Sequence, residues 1–205
     1  MTAQSTGRLT ERTGPTPIDR GAAENLRYIR STIEAAHSFT TVPGKGCIAM
    51  GLMALVATGL DLVPRLAHYW LAIWVGAATV ACVAAVLFMA TKARAQGLSL
   101  RRTVARRFFL TLAPAFVSGA ILTVVLIDAV PRETIAGVWL LLYGAGIAAA
   151  GVFTLPVVFT AGLAFMALGT ATFALPAGSA PTMLALGFGG VHIVLGEVIR
   201  RNHGG

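Results

Sequence analysis

Residues 67–90, AHYWLAIWVGAATVACVAAVLFMA, form a stretch without a single Asp, Glu, Lys or Arg. As a helix rising about 1.5 Å per residue, this stretch is long enough to cross the roughly 30 Å hydrocarbon core of a bilayer. Five further blocks of this kind predict an all-α, polytopic membrane protein, a bundle of six transmembrane helices. The predicted spans are about 46–63, 67–90, 108–130, 134–153, 155–175 and 180–199.

The composition of the chain supports this class of protein. Hydrophobic residues make up 56% of the 205 residues and charged residues only 12%, whereas soluble domains carry roughly 25% charged residues. The net charge of +8 could indicate nucleic-acid binding, but the basic residues are confined to short segments between the apolar blocks. Such segments are typical of the cytoplasmic side of a membrane, so no nucleic-acid partner is predicted.

The residues before the first span are polar and then amphipathic. The first part is rich in Thr, Arg, Gly and Pro, which predicts a disordered tail without a cleavable signal peptide. The second part places Leu26, Ile29, Ile33 and Ala36 on one helical face, which predicts a helix on the membrane surface. Docking of this helix on a soluble partner is the alternative. The predicted domains are a disordered cytoplasmic tail (1–21), an N-terminal amphipathic interfacial helix and turn (22–43), the six-helix transmembrane domain (44–201) and a short cytoplasmic tail (202–205).

The distribution of basic residues predicts the orientation of the chain. Fourteen of the sixteen Lys and Arg residues precede the first span, lie in the loop 92–107 or follow the last span, and only Arg65 and Arg132 lie on the other side. Positive residues are retained in the cytoplasm, so both termini are predicted to be cytoplasmic and the membrane to be a bacterial inner membrane. Tyr69, Trp70, Trp74 and Trp139 would then lie towards the outer interface.

Six of the basic residues are predicted to contact anionic lipid headgroups at the cytoplasmic face, where each contributes about 1 kcal/mol to membrane binding. A protein partner or a second copy of the chain is an alternative occupant of this face. The residues are Arg27, Arg30, Arg101, Arg102, Arg106 and Arg107.

A histidine in the last span is the strongest candidate for a functional residue. His192 lies roughly 16 Å along the span from Pro181, close to the bilayer midplane, and Thr79, Ser118 and Tyr143 fall at similar depth. Ionisable groups inside a span are functional candidates, so these four residues form the candidate midplane polar site. The alternative is a structural histidine, bonded to a tyrosine hydroxyl or a backbone carbonyl, that holds helices in register.

The remaining polar residues predict no cofactor, metal or catalytic group. A bis-histidine haem site needs a second histidine at the depth of His192, and the chain has none there. Cys47 and Cys82 are predicted to be packing residues. Glu197 is predicted to pair locally with Arg200 and Arg201. Asp61, Asp128 and Glu133 are predicted to form ion pairs of low individual value with Arg65 and Arg132 at the outer rim.

Small residues predict how the helices contact one another. Leucine gains little by leaving lipid for another leucine, so close contact in a bilayer needs Gly, Ala or Ser. The chain has several such residues four positions apart, which predicts a tightly packed bundle. The pairs are Ala115 and Gly119, Gly144 and Ala148, Ala145 and Ala149, and Ala185 and Gly189.

Three stretches resemble a set of uncharacterised six-span bacterial membrane proteins that is common in acidobacterial genomes. They are ENLRYIRSTIEAAHSFTTVPGKGCIAMG (24–51), VWLLLYGAGIAAAG (138–151) and GFGGVHIVLGEVIRRNHGG (187–205). The resemblance implies the six-span architecture and no particular activity. An apolar residue is more usual in that set where Glu197 stands.

Two functional classes follow from these observations. The first and preferred hypothesis is a non-enzymatic membrane module: a subunit, sensor or regulator. The alternative is a small-solute transporter or channel that uses the polar site around His192. An intramembrane enzyme is disfavoured because the predicted spans contain no paired carboxylates and neither an HExxH nor a GxSxG motif.

Overall fold

The computed structural model describes residues 25–28, 43–95 and 104–202. The chain divides into two units, residues 1–39 and 40–205. In the first unit only residues 25–28 are described, and they are helical. The predicted N-terminal tail, residues 203–205, most of the predicted amphipathic helix and half of the basic loop 92–107 therefore lie outside the described residues.

Six apolar helices build the second unit, and the described residues contain no strand. The all-helical architecture is confirmed. Five of the helices are long and apolar enough to cross a membrane, while the sixth, α5, has 17 residues and is shorter. The helices are α1 (Gly44–Asp61), α2 (Trp70–Ala95, preceded by the 3-10 turn Ala67–Tyr69), α3 (Val104–Leu126), α4 (Arg132–Gly151), α5 (Pro156–Thr172) and α6 (Ala180–Asn202).

A proline separates α4 from α5, which would otherwise form one apolar run. Helix α4 ends at Gly151 and α5 begins at Pro156. Proline suits the first turn of a helix because the N–H that it lacks would have no intrahelical acceptor there. The chain therefore reverses direction within four residues, and α4 and α5 pack along their lengths.

Helices α4 and α5 approach until their backbones touch at glycines. A Cβ atom on Gly162 of α5 would lie 2.4 Å from the backbone nitrogen of Ala148, and one on Gly144 of α4 would lie 2.7 Å from the carbonyl oxygen of Gly162. A second contact of this kind joins Gly137 and Gly169. The pairing order shows that the helices are antiparallel.

Helices α1 and α6 form a second antiparallel pair of this type. A Cβ atom on Gly44 would lie 2.6 Å from the carbonyl oxygen of Gly196, and one on Gly51 would lie 2.7 Å from that of Gly189. In both helix pairs successive glycines are seven residues apart, and the predicted pair Gly144 and Ala148, four residues apart, lies on both sides of Gly162 at one of these contacts. Helices that cross at a shallow angle meet again only every two turns, which places seven residues between successive contacts. Ala145 and Ala149, by contrast, are exposed.

Asp61 and Arg132 form an ion pair that joins the end of α1 to the start of α4. The Asp61 side chain is completely buried, and its Oδ2 also accepts a hydrogen bond of 3.0 Å from Nε1 of Trp74. The guanidinium carbon of Arg132 lies 4.9 Å from the centre of the Trp70 ring. The predicted ion pairing of these two residues is therefore confirmed, but the carboxylate is buried instead of open at the rim, because Trp74 of α2 packs against it.

Candidate functional site

His192 and Tyr143 are joined by a hydrogen bond inside the bundle. Nε2 of His192 lies 2.8 Å from the hydroxyl oxygen of Tyr143, and Nδ1 lies 2.9 Å from the backbone carbonyl oxygen of Phe188, one turn earlier in α6. His192 is only 4% exposed. The contact with Tyr143 joins α4 to α6 at this depth, and the contact with Phe188 lies within α6.

The acceptor at Nδ1 determines the direction of both hydrogen bonds. A carbonyl oxygen can only accept, so Nδ1 carries the hydrogen and donates it to Phe188. In a neutral imidazole, Nε2 then has the free lone pair and accepts from the hydroxyl of Tyr143. Both ring nitrogens are therefore engaged without a net charge on the ring, which suits an apolar environment.

Phenylalanines enclose the pair. The ring centres of Phe165 and Phe188 lie 5.0 and 5.1 Å from that of Tyr143, and the ring of Phe116 packs edge-on at 6.0 Å. Phe188 belongs to a seven-residue π-helical turn, Ala185–Val191, in the middle of α6. π-Helical turns are rare and often accompany functional sites. Here the turn lies directly before His192.

Tyr143 and His192 lie in the wall of a cavity of about 910 Å³. The wall is formed mainly by α1, α2, α3, α4 and α6. Among the described helices, α2 packs extensively only against α1, and its most apolar 18 residues include none that is buried. The cavity therefore lies between α2 and the rest of the bundle. Many of the α2 residues that face it are small, including Ala77, Ala78, Ala81 and Ala85.

Of the other two residues of the predicted polar site, one lines the cavity and one does not. Thr79 lines the cavity, but its hydroxyl donates to the carbonyl oxygen of Val75 in its own helix, at 2.8 Å. Ser118 is exposed and does not line the cavity. The expectation that Ser118 shares this site is wrong because α3 faces the cavity with Phe116 and Ala120, and Ser118 is about 200° around the helix from each of them.

Sequence reasoning missed a second polar pair in the wall. Nε1 of Trp139 donates to the hydroxyl oxygen of Thr123 at 2.9 Å, and that hydroxyl donates to the carbonyl oxygen of Gly119 at 2.8 Å. Both Thr123 and Trp139 line the cavity. The signal in the sequence was Gly119, since a glycine opposite a tryptophan leaves room for the indole ring, which lies 2.9 Å from where a Cβ atom would be.

Three of the six arginines that were predicted to contact lipid headgroups are among the described residues. Arg27, Arg106 and Arg107 are exposed, whereas Arg30, Arg101 and Arg102 lie outside the described residues.

The predicted local pairing of Glu197 is confirmed: the carboxylate binds Arg200 through two hydrogen bonds of 2.7 and 2.8 Å and also contacts Arg201. Within the described ranges, no three His, Cys, Asp or Glu side chains are grouped as metal ligands would be.

The hydrogen bond between Tyr143 and His192 predicts a measurable coupling. We expect Tyr143→Phe to lower the free energy of unfolding by about 1 kcal/mol, because Nε2 of His192 loses its donor inside an apolar wall. We expect the double variant Tyr143→Phe/His192→Phe to cost less than the sum of the two single variants. Equilibrium unfolding in detergent micelles measures both quantities. Tyr69→Phe, at an exposed tyrosine, is the control, and strictly additive effects would contradict the coupling.

No protein-family model matches the chain, and neither a curated protein nor a solved structure shows significant similarity to it.

Proposed function

We propose that the chain is a non-enzymatic membrane module, a subunit, sensor or regulator, that holds a neutral lipophilic molecule in the cavity beside α2. The observation that carries the proposal is the cavity itself. It has a volume of about 910 Å³, and none of the described residues in its wall is Asp, Glu, Lys or Arg.

The size of the cavity suits a small-molecule occupant. Protein interiors are packed like organic crystals, with few voids larger than a water molecule. An apolar cavity of about 150 Å³ already stays free of water and takes up benzene or xenon. The cavity described here is several times larger and lies at the upper end of the range for small-molecule sites, roughly 300–1,000 Å³. An apolar molecule fills such a space better than water does.

The arrangement of α2 supports access from the bilayer. This helix packs on α1 and makes no extensive contact with α3 in the described part of the chain. A lipophilic molecule dissolved in the membrane can therefore reach the cavity sideways, between α2 and α3, without crossing an aqueous phase.

The proposal includes the six-span topology with both termini in the cytoplasm. Helix α5 has 17 residues, which is at the lower limit for a span of the hydrocarbon core. It pairs with α4 at glycines from both halves of its length, and we therefore place it at the same depth as α4. The positive residues at one side favour a bacterial inner membrane, with the amphipathic helix, Arg106 and Arg107 at anionic headgroups or at a protein partner or second copy of the chain.

A transporter or channel for polar solutes is less well supported. A path for such a solute needs polar groups that can replace its water of hydration. Within the cavity wall, His192 and Tyr143 bind one another, Thr79 binds its own helix, and Ser118 is not part of the wall. We therefore prefer the binding module.

Filling the cavity tests the proposal. Ala78 is an exposed residue of α2 in the cavity wall, and Ala72 is an exposed residue of the same helix outside the wall. We expect Ala78→Phe to lower the amount of bound lipophilic molecule about tenfold, because the new ring occupies the space that the molecule needs. Native mass spectrometry of protein extracted from its membrane measures the bound fraction.

Ala72→Phe is the matched control, since it adds the same ring to the same helix and leaves the cavity unchanged. It should retain the bound molecule in full. Finding no bound molecule on the unmodified protein, or an equal loss in both variants, would contradict the proposed function.

A further inference from the structure

The hydroxyl and imidazole groups of the cavity wall already donate hydrogen bonds within the protein. The hydroxyl of Tyr143 donates to His192, and Nδ1–H of His192 donates to the carbonyl oxygen of Phe188. The hydroxyls of Thr79 and Thr123 donate to carbonyl oxygens of their own helices. At the depth of His192, every hydroxyl and imidazole donor in the wall is therefore already used.

Two of the three tryptophans in the wall also donate their indole N–H within the protein. Nε1 of Trp74 donates to Asp61, and Nε1 of Trp139 donates to Thr123. Trp70 is the first residue of α2 and lies under the guanidinium of Arg132. It is nine residues before Thr79, about 14 Å along the helix, and so its indole N–H lies at the far end of the cavity from the His192 level.

Acceptor capacity, by contrast, is left over. A hydroxyl oxygen has two lone pairs in addition to its hydrogen. The oxygen of Tyr143 gives its hydrogen to His192 and keeps its lone pairs, and the bond to His192 fixes its position, while Phe116, Phe165 and Phe188 pack against the tyrosine ring. A fixed acceptor binds a donor with little reorganisation.

We infer that the molecule held in the cavity is a neutral lipid with a hydroxyl headgroup, and that this hydroxyl donates a hydrogen bond to the oxygen of Tyr143. The inference rests on the proposed function and makes its ligand specific. An ether or ketone headgroup can only accept hydrogen bonds, so its oxygen would lie next to the Tyr143 oxygen without a hydrogen between them. A carboxylate or phosphate headgroup would be buried without a cation among the described residues of the wall, none of which is Lys or Arg.

The position of the tryptophans supplies a direct assay. The chain has three tryptophans, and Trp70, Trp74 and Trp139 all line the cavity. A lipid with bromine on its chain quenches indole fluorescence on contact. The protein is placed in phosphatidylcholine nanodiscs and titrated with brominated hexadecanol, with its methyl ether, and with the ketone and the carboxylate of the same chain length, each at equal mole fraction in the bilayer.

We expect saturable quenching by the alcohol, at about a fivefold to tenfold lower mole fraction than by the methyl ether or the ketone, and no saturable quenching by the carboxylate. Equal quenching by alcohol, ether and ketone would overturn the inference while leaving the proposed function intact. If none of the four probes quenches in a saturable way, the proposed function itself fails.

Two variants locate the acceptor. Tyr143→Phe alone would uncover Nε2 of His192, which is another acceptor, so it is combined with His192→Leu. The double variant should bind alcohol and ether equally, whereas Thr79→Val should keep the preference for the alcohol. Loss of the preference in Thr79→Val, or its persistence in the double variant, would overturn the assignment to Tyr143. If the double variant does not fold, the four probes on the unmodified protein and on Thr79→Val still decide the question.

Discussion

Gly162→Leu is expected to prevent stable packing of α5 on α4 and to lower the free energy of unfolding by at least about 3 kcal/mol. The reason is that a Cβ atom at this position would lie 2.4 Å from the nitrogen and 2.7 Å from the Cα atom of Ala148. Both atoms belong to the backbone of α4, so no change of rotamer relieves the overlap. The helices would have to separate and lose their contacts at the neighbouring glycines as well. Thermal unfolding in detergent and the yield of monodisperse protein measure the effect.

Gly76 provides the control for this experiment. It lies within α2, and a Cβ atom there would meet nothing within 4 Å. Glycine inside a helix costs roughly 0.5–1 kcal/mol relative to alanine, so Gly76→Ala should leave the stability unchanged or raise it slightly. If Gly162→Leu unfolds at the same temperature as the unmodified protein, the glycine contacts between α4 and α5 do not exist as described.

The second large effect is expected at the ion pair between Asp61 and Arg132. Removal of one partner of a buried pair typically costs about 3–5 kcal/mol. Arg132 is 23% exposed in its side chain, and water can therefore still reach it, so we expect about 3 kcal/mol for Asp61→Leu. The variant also removes the acceptor of the Trp74 indole, which lies 3.0 Å from Asp61. Equilibrium unfolding in micelles measures the loss.

A double variant and an exposed pair complete this test. Asp61→Leu/Arg132→Met removes both charges, and we expect it to recover a large part of the lost stability, because no unpaired charge is left behind. Glu197→Gln breaks a pair at the exposed end of α6 and should have no measurable effect on unfolding. Equal losses in Asp61→Leu and in the double variant would contradict this expectation, because they would show that leaving Arg132 unpaired costs nothing.

The helices could be predicted from the sequence because each depends on local chemistry, although the predicted ends of α2 and α3 differ from the observed ends by four or five residues. The block 67–90 has no charged residue, and it folds as α2 with one preceding turn. Pro156 begins α5, as its missing N–H favours. The number of residues from the end of a span gives the depth of a side chain in the bilayer, so His192 and Tyr143 could be predicted to lie at the same depth.

The direction in which each helix faces could not be predicted in the same way. Helices in a bilayer are apolar on the lipid side as well as on the protein side, so the pattern of apolar residues does not mark the buried face. Ser118 has the depth of His192 but the wrong angle around α3. Asp61 and Trp74 carry the signals of a membrane interface, and yet they bind one another in the interior. The cavity depends on the separation of α2 from α3, which no single segment encodes.

The wide turn at Ala185–Val191 has a consequence for the evolution of this chain. Each helical residue advances the chain by about 100° around the axis, so one residue more or less in this turn would rotate Met183 and Leu184, which are buried before it, relative to Leu195 and Ile199, which are buried after it. Substitutions among small residues leave that relation intact. Insertions and deletions do not, and natural variants of this protein should therefore conserve the length of residues 185–191 more strictly than their composition.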